Sequence, residues 1–119
     1  MQKWLTRRLK RPGLWVLLLA GTATFGVNAN AGMVTGLVTE IHVANHSRLF
    51  AFGVDTPIKD TPRCNEAGWF AVDLGKPGGE AILELLLAAK RDKQPVFVEG
   101  LNTCGIEWKS ENVKMVILK

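Results

Sequence analysis

The chain has 119 residues, of which 47% are apolar, with 15 lysines and arginines against 11 acids. That is the length of one domain, and too apolar for a disordered polypeptide. The charge is uneven: residues 1–31 hold Lys3, Arg7, Arg8, Lys10 and Arg11 and no acid, and removing those five leaves 10 basic against 11 acidic residues over 32–119, which argues against a nucleic-acid binder.

Residues 1–31 read as a secretory signal peptide. A basic stretch from Met1 to Arg11 precedes an apolar run beginning LWVLLLA at Leu14, and Ala29-Asn30-Ala31 is a small-x-small cleavage site. These are the three parts of such a leader in order, and they predict cleavage after Ala31. The apolar run from Leu14 to Val27 is 14 residues long and interrupted by Gly21, Thr22, Thr24 and Gly26. A membrane span needs about 17–25 apolar residues, so membrane contact is expected only in transit. Arg7-Arg8 hints at a twin-arginine signal, with the general secretory route preferred. The expected location is the periplasm or the medium.

Cys64 and Cys104 are the only cysteines, and both lie in the mature part. In an oxidising compartment an even count predicts a disulfide. Closing a loop of that size stabilises a domain by about 4 kcal/mol on chain-entropy grounds.

Residues 32–44 (GMVTGLVTEIHVA) alternate as one strand, with Leu37, Thr39, Ile41 and Val43 on one side and Val38, Glu40, His42 and Ala44 on the other. Asn45-His46-Ser47 is a turn, and 48–54 is a second strand with Phe50, Phe52 and Val54 on one face. Residues 55–68 carry Pro57, Pro62 and Gly68 and read as a loop, and 69–74 as a third strand. After the breaker Lys76-Pro77-Gly78-Gly79, residues 80–92 (EAILELLLAAKRD) read as a helix running from Glu80 to Asp92. Its acids lie early, Lys90 and Arg91 lie late, and Ile82, Leu85, Leu86 and Ala89 form an apolar stripe widened by Leu83 and Leu87. The spare apolar area fits either a neighbouring subunit or a cover supplied by the 55–68 loop. Residues 94–100 and 113–118 read as the last two strands, with 102–112 irregular between them.

The order is three strands, a helix and two strands. The expected fold is mainly β (α+β): an OB-fold-like, five-stranded Greek-key barrel with one helix between its third and fourth strands. A split β-α-β sandwich or another small α+β sheet is the alternative.

Chemistry is sparse. Ser47 and Ser110 are the only serines over 32–119, and neither sits in a nucleophile motif. His42 and His46 are four apart across a strand end, where that spacing does not converge. No CxxC accompanies them, so neither metal nor cofactor is expected. Asp55, Asp60 and Asp73 read as solvated charges, and the Gly78-Gly79 turn lacks the GK[ST] of a phosphate loop. The chain is expected not to be an enzyme. Trp69 and Trp108 are the only tryptophans over 32–119. An exposed aromatic can stack on a sugar or a base. Phe50, Phe52, Phe70 and Phe97 are expected in the core, whereas Trp69 falls on the face opposite Phe70.

The stretch Gly32-Met33-Val34-Thr35-Gly36-Leu37-Val38, with the Cys64 region, the helix and Lys93-Gln94-Pro95-Val96 after it, resembles the subtilase cytotoxin B-subunit-like family of small exported proteins in Gram-negative bacteria. The resemblance covers most of residues 32–104. It implies an OB-fold, an intrachain disulfide, a homopentameric ring and non-enzymatic glycan binding. In that family a serine of the opening motif touches a sialic acid, and the matching position here is Thr35. The tyrosine pair that ends the post-helix strand in the family's toxin is replaced by Glu99-Gly100, and no tyrosine occurs. The expected function is therefore an exported binding module. Thr35 would bond the ligand, His42 or Trp69 would flank it, and helix 80–92 would contact a second copy. The other reading is a monomeric periplasmic accessory protein with a protein partner.

Overall fold

The computed structural model describes residues 31–105 and 109–119. The signal peptide expected over 1–31 therefore lies outside the described residues except for Ala31, as does Trp108. Six strands and one helix follow in the order β1 (Met33–Gly36), β2 (Val38–Val43), β3 (Leu49–Val54), β4 (Phe70–Asp73), α1 (Gly79–Asp92), β5 (Val96–Cys104) and β6 (Glu111–Leu118). The strands form one curled, mixed sheet in the order β1-β5-β6-β4-β3-β2. All neighbours run antiparallel except β4 and β6, which pair in parallel through Phe70 with Glu111 and Ala71 with Asn112.

The first expected strand is two strands. Leu37 leaves the ladder because its N–H donates to Asp55 Oδ1 and its carbonyl accepts from the Asp55 N–H, both at 2.9 Å. Asp55, expected as a solvated charge, thus pins this break. Beyond it, a bulge between Val38 and Glu40 resets the alternation. Val38 is buried and Ile41 packs on the core, whereas Leu37 and Val43 are exposed. The expected division of faces fails at Leu37 for that reason, since one extra residue exchanges the sides of a pleated strand, whereas Val43 keeps the side of Ile41, opposite Phe50, and is exposed at the end of the strand.

The core comprises the inward side chains of β1–β5 and one helix face: Val34, Val38, Phe50, Phe52, Phe70, Val72, Leu86, Ala89, Val96 and Val98. Phe52 and Phe70 sit opposite one another in register, with ring centroids 5.7 Å apart. Phe97 departs from expectation. It lies on the outward side of β5, opposite Thr35 on β1 and Ile117 on β6, and is half-buried.

The helix forms where expected, one residue longer at its start. It packs on β2, β4 and β6 through Leu86 and Ala89, with Ile82, Leu83 and Leu85 partly buried against the core. Lys93 ends it in the left-handed region, at φ 55°. Only Leu87, 48% exposed, stands clear of the apolar stripe. The two last strands are longer than expected and reach into the segment read as irregular, because β5 passes a second bulge after Glu99 and stays paired to Cys104.

Cys64 and Cys104 form the expected disulfide, with Cα atoms 6.0 Å apart and a sequence separation of 40. It fastens the 55–69 loop to the end of β5. No helix among the described residues is long and apolar enough to cross a membrane.

Candidate binding face and a buried carboxylate

The outward side of β2, β3 and β4 is floored by small residues. His42, Ala51 and Ala71 stand in one cross-strand row, and Glu40 faces Gly53 in the next. Trp69 precedes β4 and lies over Gly53: a Cβ added to that glycine would be 3.2 Å from Trp69 Cδ1 and 3.2 Å from Thr39 Oγ1. The missing side chain is what lets the indole lie down on the sheet. There it stacks on His42, with ring centroids 4.2 Å apart and planes inclined by 26°. Glu40 Oε2 lies 3.7 Å from His42 Nε2. Two of the three residues expected at a ligand site are therefore brought together.

Thr35 is placed elsewhere. It is exposed on β1, in register with Phe97 of β5. Around it lie Met33, Met115 and Ile117, exposed to between 39% and 44%. Sequence pattern alone does not separate this limb of the sheet from the His42 limb, because the break at Leu37 depends on the distant Asp55.

An open groove of about 870 Å³ meets the row of His42, Ala51 and Ala71 at Ala71, with neither stacked ring in its lining. Its lining includes Arg48, Ala71, Asp73, Lys76, Asn112 and Lys114. Arg48 Nη2 approaches Asp73 Oδ2 at 3.6 Å, and the other Asp73 oxygen accepts the Gly75 N–H at 2.8 Å. The groove thus offers several donors, with three cations (Arg48, Lys76, Lys114) against one acid, Asp73. Among the described residues no group of three or more His, Cys, Asp or Glu side chains comes together. Both cysteines are consumed by the disulfide.

The second polar feature is not among the residues that sequence pattern singles out. Glu111, the first residue of β6, is fully buried. Its Oε2 accepts the N–H groups of Gly32 at 2.9 Å and Asn102 at 3.0 Å, and its Oε1 accepts the Thr61 hydroxyl at 3.1 Å. Asn65 extends the network by donating to Thr61 Oγ1 at 2.8 Å, and accepts the Gly68 N–H at 3.0 Å. Two glycines make room for the carboxylate, since a Cβ on Gly32 or Gly100 would overlap it. Among the described residues no lysine, arginine or histidine pairs with it. The available signal was a pair of glycines in otherwise good strands, which marks a close approach.

These observations define a small, mainly β, barrel-like domain with one helix and one disulfide, a ring-stacked outer face and a buried acid. No family model, curated protein or solved structure matches the chain significantly.

Proposed function

We propose that this chain is an exported, non-enzymatic binding module of the toxin B-subunit-like type, built on an OB-fold-like barrel, and that it recognises a glycan. In support of that fold, β1 and β2 are halves of one bent segment, so six strands count as five. Each half pairs with a different neighbour, β5 or β3, the sheet contains one parallel pair, and the helix joins β4 to β5. That connectivity suits a five-stranded Greek key. The two-cysteine bridge suits a compartment outside the cytoplasm, the periplasm or the medium.

The observation that carries the binding reading is the His42–Trp69 stack on the outward side of β2–β4. In OB-folds the corresponding face takes oligosaccharides and oligonucleotides. The near balance of charge over residues 32–119 favours a sugar over a polyanion. Apolar sugar faces stack on aromatic rings, and hydroxyls bond to side chains such as those of Arg48 and Asn112 in the adjacent groove. Thr35 would act from the other limb of the sheet, as a second contact. Assembly into a homopentamer belongs to the same reading: Met33, Met115 and Ile117 offer apolar area that a neighbouring subunit would cover.

A glycan array probed with the exported protein tests this. Enrichment for one glycan class is expected, with binding about tenfold weaker in Trp69→Ala. No enrichment for any glycan, or Trp69→Ala and Thr35→Ala both binding like wild type, removes the reading. Light scattering tests the ring, since a monomer would favour an accessory protein with a protein partner.

A further inference from the structure

The first residue expected after leader cleavage is the one whose nitrogen touches the buried Glu111. Gly32 is itself buried, its N–H lies 2.9 Å from Glu111 Oε2, and its carbonyl accepts the Gly100 N–H at 2.9 Å. Met33 is held next to it by two bonds with Lys59, each 3.0 Å. In the uncleaved chain Gly32 offers Glu111 a neutral amide. The other two donors, the Asn102 N–H and the Thr61 hydroxyl, are neutral as well. A fully buried carboxylate satisfied only by neutral donors is costly, because burial penalises an uncompensated charge.

We propose that leader removal supplies the missing cation: the α-ammonium of Gly32 forms a buried ion pair with Glu111, so that processing completes the fold. Hydrolysis of the Ala31–Gly32 bond consumes one water. It leaves a carboxylate on Ala31 and an amine on Gly32, which takes up a proton at neutral pH. The ammonium then occupies the position of the former amide nitrogen and carries three hydrogens where the amide carried one. Only a glycine fits there, since a Cβ would overlap the carboxylate and approach Ile58 Cγ2 to 2.8 Å. The inference rests on the leader reading and is independent of ligand and ring.

The sign of its pH dependence is fixed. An ammonium paired with a carboxylate has a raised pKa, above the ordinary α-amino value of about 8. The contribution to stability is therefore full below about pH 8 and lost as pH rises through the folded-state value.

The test uses the full chain, expressed with its own leader in a Gram-negative host and recovered from the exported fraction. Mass spectrometry is expected to find a product beginning at Gly32; any other start overturns the proposal. The acetylation rate of the Gly32 amine is then followed against pH, with surface lysines as internal references. Protection of about tenfold or more relative to the urea-unfolded protein is expected, with an apparent pKa about one unit or more above 8. An apparent pKa at or below 8 overturns the ion pair, because burial alone would lower it. Glu111→Gln is expected to unfold at least about tenfold more readily at pH 7, with the difference from wild type shrinking toward pH 10. If that variant does not fold, the wild-type titration decides alone.

Discussion

The Glu111 carboxylate and the His42–Trp69 stack belong to one sheet, the first sealed inside it and the second half-buried on its outer face. Around Glu111 the glycines, the bulge in β5 and the 55–69 loop close over the acid until its oxygens meet three donors and no solvent. Around His42 and Trp69 the small residues of β3 and β4 lower the floor; the Glu40 carboxylate stays exposed beside the rings, while His42 Nε2 is shielded from solvent. Buried polar groups stabilise a fold only when satisfied, whereas a binding surface needs polar groups that water can reach and a ligand can displace. The contrast separates what holds this domain together from what it can present to a partner.

The largest perturbation should strike both regions, because one loop serves both. Residues 55–69 carry Thr61 and Asn65 to the carboxylate, hold Cys64, and end at Trp69. Replacing both cysteines by serine should lower the unfolding free energy by about 4 kcal/mol in chemical denaturation. It should also broaden Trp69 signals and the amide resonances of Gly32 and Asn102 together. If only one set responds, the two regions are not coupled through the loop.

Gly100→Ala should break the seam and spare the outer face. The added methyl overlaps the Glu111 carboxylate, which is walled in and cannot retreat. A loss of about 3 kcal/mol is expected, with ligand binding per folded molecule unchanged. His42→Ala should do the reverse. Removing one member of a half-buried stack costs about 1 kcal/mol, while the indole becomes freer and its fluorescence shifts. A His42→Ala protein as destabilised as Gly100→Ala would show that the outer rings are structural.

How far the sequence reveals these regions follows from the range of the signals. The helix was legible because its stripe, charges and boundaries are local. So was the cystine, because only one pairing exists. The bulge at Thr39 was not, since it depends on how β2 registers against β3, and with it went the division of faces between Leu37 and Ile41. Trp69 and His42 could be placed on the outward side only separately; their contact needs Gly53 on a third segment. Glu111 was least visible of all. An acid at a strand start reads as solvated, and its burial depends on donors 79, 50 and 9 residues away in sequence. Phe97 failed differently: its apolarity is real, but it points to the outward limb beside Thr35 and Ile117 rather than inward.

The smallest expected effect concerns the helix, and it sharpens the contrast between packed and presented apolar surface. The sequence offers Leu83 and Leu87 as spare area beside the stripe. Leu83 packs on the core, and only Leu87 remains exposed. Leu87→Lys should therefore change the monomer's stability by no more than about 0.5 kcal/mol. If a ring forms through α1, the same substitution buries a charge at each contact and should dissociate it in light scattering. If subunits instead meet on the limb of Met33, Met115 and Ile117, Leu87→Lys leaves the assembly intact and Ile117→Lys disrupts it. The pair of variants thus locates the contact by which one fails to act, independently of how tightly any ligand binds.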